Sequence, residues 1–239
     1  MLPNFLFLIA AVGAETVGTF TGFGAVTILL PIATFMMPLR EAIVLVSVFH
    51  LMGTFFRTLF FVRKINLKIA LLFGIPSLIF SAIGASLLPT IDLPILSKIV
   101  GVALVAYAFY SLIRERVSLP KTNMALVGGG AAVGFVAGLI GTAGAVRGAF
   151  LTSWNLPPAV YLGTGALMGL GADAARVAVY TGSGLIKFEP ILFISLGVAA
   201  LIGTIIGKFL VVKTKEKIFA RIIFIALVAA GLRLILINA

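Results

Sequence analysis

Cysteine is absent from the 239-residue sequence, and acidic residues and histidine are scarce. Without cysteine the chain forms no disulfide and carries out no thiol chemistry. It also lacks a motif that resembles a Walker A loop, so we expect no direct use of ATP. The first residues lack the basic segment and the cleavage site of a signal peptide, which predicts that none is removed. We expect no catalytic residue, no cofactor and no metal ion.

Charged residues of either sign make up only 10% of the chain, whereas hydrophobic residues make up 62%. Soluble domains contain about half apolar and about a quarter charged residues, so one of this length could not bury so much apolar surface. The net charge of +11 does not form one patch, because the basic residues cluster between apolar blocks. This pattern is typical of the cytoplasmic loops of a membrane protein and argues against a nucleic-acid partner. The expected partners are the lipid bilayer and a small anionic substrate, and exposed apolar faces permit a homodimer.

Eight apolar blocks have the lengths of membrane elements. A helix that crosses the bilayer needs about 20 mostly apolar residues. Six blocks have this length, and they lie at 42–62, 67–88, 93–113, 158–181, 190–212 and 218–237. The two remaining blocks, 4–37 and 122–154, are longer and are interrupted by glycines. Each is long enough for two half-length helices with a turn between them, so we predict a broken helix in each.

The two long blocks match each other, which indicates an internal duplication. Five residues in and just after the first block recur 120 positions later: Gly18, Gly24, Ala25, Val26 and Pro38 return as Gly138, Gly144, Ala145, Val146 and Pro158. In each half, one broken block precedes three ordinary helices. We therefore divide the chain into repeat 1, residues 1–121, and repeat 2, residues 122–239.

The basic loops predict how the two repeats are oriented. If block 122–154 returns to the side that it left, nine basic residues in loops 63–68, 114–121 and 213–217 share one side and three lie opposite. If that block crosses fully, the division is seven against five. The positive-inside rule favours the larger asymmetry, which makes the block a re-entrant hairpin and the three loops cytoplasmic. The sequence thus predicts an all-α polytopic membrane protein with two inverted four-element repeats, an arrangement typical of secondary transporters. The first block is assigned as a hairpin by symmetry alone, which leaves the side of the N-terminus open.

A helix break inside the bilayer leaves backbone groups unpaired, at several kcal/mol each unless protein, water or solute satisfies them. The half-helices that restart after Gly24 and Gly144 present free N–H groups and positive dipole ends, which attract anions. Arg147, on the first turn of the second half-helix, adds a planar guanidinium suited to carboxylate or sulfonate oxygens. We therefore expect an anion site formed by Thr21, Gly22, Phe23, Gly24, Ala25, Thr142, Ala143, Gly144, Ala145 and Arg147.

Five further polar residues within apolar blocks are candidates for the transport pathway or for proton coupling: Glu15, His50, Arg57, Asp173 and Arg176. Each also has a simpler interpretation. Arg57 and Arg176 lie near helix ends, where extension of the side chain to the membrane surface is the favoured interpretation. His50 can bond to a backbone carbonyl, and Asp173 can neutralise Arg176 at a spacing of three residues.

The break residues also have simpler interpretations. Arg147 can extend to the membrane surface, or it can pair with Glu15 or Asp173. Glycines at short intervals often permit close helix packing, and this interpretation suits Gly128, Gly129, Gly130, Gly134 and Gly138.

The two glycine-broken segments, each followed by a proline and a helix, resemble those of the TauE/SafE family of sulfite exporters and sulfonate permeases. The resemblance lies in "GTFTGFGAVTILLPIATFMMPLREA", in "GLIGTAGAVRGAFLTSWNLPPAV" and in the loop "GLIKFEP", and it extends over the whole chain. It implies transport of sulfur oxyanions or organosulfonates, such as sulfite or sulfoacetate, across a prokaryotic inner membrane. It also implies that the paired motif loops, 21–25 and 142–145, face the substrate.

The leading hypothesis is a secondary carrier for such an anion, and three others stand beside it. An anion channel or facilitator for carboxylates would share the pore chemistry. An intramembrane hydrolase would use Ser183 and His50, although Ser183 is expected at a helix end and His50 near the middle of the membrane. A membrane scaffold without transport would leave the two matched breaks without a purpose.

Overall fold

The computed structural model describes residues 5–92, 121–141, 156–186 and 189–210, together with single residues within 94–109, 143–154 and 228–235. Every regular element in these residues is helical. In chain order the helices are α1 (Phe5–Thr21), α2 (Val26–Ala33), α3 (Leu39–Phe61), α4 (Leu67–Leu87), α5 (Asn123–Ile140), α6 (Pro158–Gly182) and α7 (Pro190–Leu210).

Local sequence signals account for the helix starts. Asn66 and Thr122 cap α4 and α5, because their side-chain oxygens accept hydrogen bonds from backbone N–H groups three residues later. Pro38 and Pro157 stand directly before α3 and α6 with ψ near 147° and 145°, so that each of these helices begins immediately after an extended proline. Helices α3 and α6, the first unbroken helices after the two glycine-broken blocks, therefore begin in the same way.

Three of the described helices are long and apolar enough to cross a membrane, and they coincide with the blocks at 42–62, 67–88 and 190–212. The span predicted at 158–181 forms α6, whose residues include Asp173 and Arg176 and are less apolar. Of the span predicted at 93–113 the structure describes nine residues, and of the span at 218–237 it describes three; all twelve are helical. The basic loops at 114–121 and 213–217 lie outside the described residues, except for Lys121.

Both long blocks are broken helices, as predicted. Between α1 and α2 the chain leaves helical geometry at residues 22–25, where Gly22 and Gly24 have φ values of 74° and 88°. Helix α5 ends at Gly141 with a φ of 77°. The described residues between 144 and 151 are helical again, and the Arg147 N–H donates to the Ala143 carbonyl at 2.9 Å. Positive φ values are accessible to glycine without steric cost, which explains glycine at these three positions.

The described helices pack in two groups, which α3 and α6 join. Helix α1 packs along α7, α4 packs along α5, and α3 and α6 contact each other and the neighbouring group. Close approach depends on glycine: a Cβ atom on Gly130, Gly134 or Gly138 would overlap a backbone carbonyl of α4. The packing interpretation of these three glycines is therefore confirmed. It is wrong for Gly128, where no atom lies within 4 Å of an added Cβ.

Candidate functional site

The two helix breaks touch each other. A Cβ atom on Gly144 would overlap the backbone carbonyl oxygen of Phe23. Packing within the first break is also close, since a Cβ atom on Gly18 would overlap the Ala25 backbone nitrogen. Glycine is required at both positions because backbone lies where a side chain would begin. The breaks predicted from the sequence are therefore brought together inside the protein.

A small cavity lies where the breaks meet. Phe23 and Val26 line it from the first break, and Gly141, Ala143, Gly144 and Arg147 line it from the second. The remaining lining residues come from α3, α4, α5 and α6: His50, Ser77, Val133, Ala137, Ala172 and Asp173. The space open to the centre of a water molecule is about 10 Å³, which holds about one water. A larger solute therefore requires the walls to move apart.

Arg147 is buried beside this cavity, with 7% of its surface exposed. Its guanidinium lies against Gly169, where a Cβ atom would be 2.8 Å from Nη1. Its Nε atom is buried without a hydrogen-bond partner. Among the described residues, no carboxylate lies within 4.0 Å of the Arg147 guanidinium. Extension to the membrane surface and pairing with Glu15 or Asp173 are therefore both wrong for this conformation.

Asp173 is the most heavily bonded polar group at the cavity. Its Oδ2 atom lies 2.6 Å from His50 Nδ1 and accepts a hydrogen bond from the Thr54 hydroxyl at 3.2 Å. Its Oδ1 atom accepts a hydrogen bond from Arg176 Nη2 at 2.8 Å, which confirms the predicted pairing at a spacing of three residues. The interpretation of His50 as bonded to a backbone carbonyl is wrong, because the partner of its Nδ1 atom is a carboxylate.

Arg57 and Arg176 do not extend to the membrane surface, and the interpretation that they do is wrong. Their exposed fractions are 4% and 1%. Arg176 also donates from Nη1 to the Ala137 carbonyl at 2.9 Å. Arg57 Nη2 lies 3.3 Å from His50 Nε2, and its Nη1 atom lies 3.6 Å from Glu15 Oε1. Both arginines lie on faces of α3 and α6 that pack against other helices.

Glu15 is fully buried between α1, α3 and α7. Its Oε1 atom accepts hydrogen bonds from Thr19 at 2.9 Å and from Thr204 at 3.0 Å. The contacts thus run from Glu15 through Arg57 and His50 to Asp173 without a gap wider than 3.6 Å. We call the buried acidic residues, basic residues and histidine of the described chain the buried charge network: Glu15, His50, Arg57, Arg147, Asp173 and Arg176.

The buried charge network carries an excess of positive charge. Three arginines stand against two carboxylates, which leaves one positive charge when His50 is neutral. An uncompensated buried charge is destabilising by several kcal/mol. Asp173 is already bonded to His50 and Arg176, and the arginine without an ion pair is Arg147, at the cavity. An anion in the cavity would restore neutrality.

The model of the sulfite exporter TauE/SafE family matches residues 6–234 of the chain. The chain belongs to the TauE/SafE family. It is therefore a membrane transporter of the sulfite exporter family, in agreement with its apolar helices. No curated protein and no solved structure matched the chain.

Not every predicted anion ligand of this TauE/SafE protein is available in the structure. The Thr21 hydroxyl donates to the Val17 carbonyl at 2.9 Å, and the Gly24 N–H donates to the Gly18 carbonyl at 3.2 Å. The proposed roles of these two groups as free donors are therefore wrong in this conformation. Gly22 packs against the ring of Tyr161. Of the first break, Phe23 and Val26 line the cavity, whereas Thr21, Gly22, Gly24 and Ala25 do not.

Two predicted ligands of the second break, Thr142 and Ala145, lie outside the described residues. Its other predicted ligands, Ala143, Gly144 and Arg147, all line the cavity. The second break of the TauE/SafE chain therefore contributes most of the cavity lining that was predicted from the sequence.

Ser77 is a cavity residue that sequence reasoning missed. It is 2% exposed and lies on the face of α4 that packs against Gly134. A stripe of small residues with a spacing of four, Ser77 and Ser81 on α4 against Gly130, Gly134 and Gly138 on α5, was the available signal. Val133, Ala137 and Ala172 carry no polar group that could have marked them.

The hydrolase hypothesis has no support in this geometry. Ser183 is exposed at the C-terminal end of α6. His50 is buried in α3, and its two ring nitrogens lie at Asp173 and Arg57. A nucleophile and its base must lie within about 3.2 Å of each other, and no hydrogen bond joins these two described residues.

Proposed function

We propose that the chain is a secondary carrier that binds a small sulfur oxyanion or organosulfonate between its two broken helices. The observation that carries the proposal is Arg147, a buried cation without an ion pair at a cavity lined by both breaks. Its counter-ion is the transported anion. The N-terminal end of the half-helix that begins at Gly144 supplies further positive potential and N–H donors at the same place.

The packing of the helices supports the inverted-repeat arrangement. Exchanging the repeats replaces α1 by α5, α3 by α6 and α4 by α7. The contact between α1 and α7 then becomes the contact between α5 and α4, and the contact between α3 and α6 is unchanged. Individual contacts follow the same exchange. Thr204 bonds to Glu15, and Gly84 packs against the Phe135 carbonyl. Thr204 lies 120 positions after Gly84, and Phe135 lies 120 positions after Glu15, so the two contacts join corresponding positions.

Transport follows from this arrangement if one repeat rocks against the other around the cavity. In the conformation described, the cavity holds about one water molecule, so its walls must move apart to admit the anion. We place the chain in a prokaryotic inner membrane, with loops 63–68, 114–121 and 213–217 in the cytoplasm. Arg63, Lys64 and Lys68 are exposed, as a cytoplasmic anchor requires.

The chemistry of the cavity favours a compact oxyanion. Arg147 offers a planar fork that matches two oxygens of a sulfonate or sulfite group. Ser77 supplies a hydroxyl, and Val133, Ala137 and Ala172 supply an apolar wall that suits a short carbon substituent. The family supports sulfur at the centre of the oxyanion. A channel for carboxylates is the alternative.

A thermal-shift measurement on the purified protein tests the binding claim. Methanesulfonate, sulfoacetate, sulfite and thiosulfate are compared with acetate. At a concentration of 100 times Kd, a bound anion stabilises the protein by about 2.7 kcal/mol. We expect stabilisation by at least one sulfur anion and its loss in Arg147→Ala, whereas the exposed-loop control Arg63→Ala retains it. Equal responses to acetate and to the sulfur anions would contradict the substrate class.

Counterflow in proteoliposomes tests the carrier claim. A carrier accelerates the entry of labelled methanesulfonate when unlabelled methanesulfonate is present inside, and the rate saturates with concentration. A channel shows neither effect. A flux that does not saturate, shows no counterflow and still requires Arg147 would favour a channel over a carrier.

A further inference from the structure

Glu15 and Arg57 occupy in repeat 1 the place that Asp173 and Arg176 occupy in repeat 2. Arg57 and Arg176 are 119 positions apart, and Gly53 stands 120 positions before Asp173. Gly53 has no carboxylate of its own, but the Glu15 carboxylate packs against it, since a Cβ atom on Gly53 would overlap Glu15 Oε2. Each repeat therefore places one carboxylate beside one buried arginine.

The two carboxylates differ in how fully they are bonded. Asp173 uses both oxygens, because His50 and Thr54 contact Oδ2 and Arg176 donates to Oδ1. Glu15 receives both of its hydrogen bonds at Oε1, and its Oε2 atom is buried without a hydrogen-bond partner among the described residues. An ionised carboxylate left with an unpaired buried oxygen is costly, and protonation of that oxygen lowers the cost.

The cation beside Glu15 is also held more loosely. Arg57 Nη1 lies 3.6 Å from Glu15 Oε1, a distance too long for a hydrogen bond. Arg176 lies 2.8 Å from Asp173. The ion pair of repeat 1 can therefore separate with less loss than the ion pair of repeat 2.

We propose that Glu15 binds a proton that is transported together with the anion. This inference rests on the proposed function, since it names the coupling ion of the same carrier. A proton on Glu15 raises the excess charge of the buried charge network from one to two positive charges, and an anion in the cavity then lowers it again. Each ligand therefore favours the binding of the other, as linkage requires.

A chain of contacts connects the proton site at Glu15 with the cavity. Arg57 lies between Glu15 and His50, and His50 lines the cavity. When Glu15 is neutral, Arg57 loses its nearest carboxylate, and its charge acts more strongly on the His50 side. The interaction is strong at this range because the groups are buried and salt does not screen them.

The other charged groups around Glu15 are few. Helix α1 carries no second ionisable residue, and α3 presents Arg57 to it. The only charged residue of α7 is Lys208, which lies over the Phe60 ring at 4.9 Å. Asp173 of α6 lies beyond His50. Within the described residues, Glu15 is therefore the carboxylate best placed to change its charge.

Proteoliposomes with labelled methanesulfonate provide the test, because this sulfonate stays ionised and carries no proton of its own. For the wild type we expect exchange without a pH gradient, and accumulation when the inside is more alkaline. Glu15→Gln should retain exchange but lose gradient-driven accumulation. The Kd for methanesulfonate should change up to about tenfold per pH unit in the wild type, as a one-proton linkage allows, and less than twofold in Glu15→Gln.

Two further variants make the result specific. Glu15→Asp keeps a carboxylate and should restore part of the gradient-driven accumulation. Glu41→Gln makes the same change at an exposed carboxylate and should behave as the wild type. If Glu15→Gln does not fold, the pH dependence of Kd in the wild type and in Glu15→Asp decides, and a Kd independent of pH overturns the proposal.

The outcomes separate the two proposals. A wild type that exchanges methanesulfonate but does not accumulate it when the inside is more alkaline would overturn proton coupling and leave the carrier intact. Gradient-driven accumulation in Glu15→Gln would do the same. A wild type that neither binds nor exchanges methanesulfonate or sulfite would overturn the proposed function, and the coupling proposal with it.

Discussion

The two helix breaks have similar backbones and different chemistry. Both place glycine at the turn, and both begin a new half-helix directly after it. Three residues after Gly24 the first break has Thr27, whereas three residues after Gly144 the second has Arg147. Both side chains are buried, and each contains a polar atom without a hydrogen-bond partner, Thr27 Oγ1 and Arg147 Nε. The two breaks thus have corresponding positions 120 residues apart, and only one of the two carries charge.

The breaks also differ in how their backbone groups are used. In the first, the Gly24 N–H is bonded to the Gly18 carbonyl, and the Phe23 N–H donates to the Thr21 hydroxyl at 3.4 Å. The second places Gly141, Ala143, Gly144 and Arg147 on the cavity. We infer that the first break is chiefly a structural wall, and that the second binds the anion.

The contact between the breaks should be the least tolerant of change. In Gly144→Ala the new Cβ atom would overlap the Phe23 carbonyl, a backbone atom that cannot rotate away. We expect a loss of stability of about 3 kcal/mol or more, because overpacking against fixed backbone forces the breaks apart. The measurement is the melting temperature of the purified protein in detergent.

Gly128→Ala is the matched control, since it makes the same change in α5, where no atom lies within 4 Å of the added Cβ. It should be neutral or slightly stabilising, because alanine favours helix more than glycine does. Equal melting temperatures for the two variants would show that the breaks are not in contact.

Arg147→Thr makes the second break chemically like the first. We expect anion binding to weaken by about 30-fold or more, because removing one member of a buried charged pair costs about 2–5 kcal/mol. In the absence of anion, the same variant should be as stable as the wild type or more stable, because a buried charge without an ion pair has been removed. Titration with methanesulfonate gives the first quantity, and the melting temperature without anion gives the second.

The anion affinity and the anion-free stability of Arg147→Thr together distinguish a binding role of Arg147 from a structural one. A structural arginine, when replaced, would lower both anion affinity and the stability of the anion-free protein. Arg63→Thr, in the exposed basic loop, should change neither.

The sequence predicted the breaks because the signals for a break are local. Excess block length and glycines such as Gly24 and Gly141 mark a turn wherever the surrounding helices lie. The position of Arg147 beside the second break is also local information, since it lies three residues after Gly144. The resemblance to the family could be seen for the same reason, since it rests on these two segments.

The side-chain partners could not be predicted in this way. Hydropathy places Arg57 and Arg176 near helix ends, but it does not show which faces of α3 and α6 pack against other helices. The burial of these two arginines depends on packing between helices that are distant in the sequence. The Thr21 hydroxyl and the Gly24 N–H were predicted to bind an anion because the sequence does not show that the turn itself supplies their acceptors.

Thr27→Val should have the smallest effect, and it tests whether the first break takes part in binding. Thr27 is 3% exposed, and its Oγ1 atom has no hydrogen-bond partner among the described residues. Replacing an unpaired buried hydroxyl by a methyl group of similar shape should stabilise the protein by up to about 1 kcal/mol, because a desolvated polar group is removed. If the first break is a wall, the Kd for methanesulfonate should stay within about twofold of the wild type. A tenfold weaker Kd, about 1.4 kcal/mol, would place Thr27 on the anion, and the two breaks would then share the ligand despite their different chemistry.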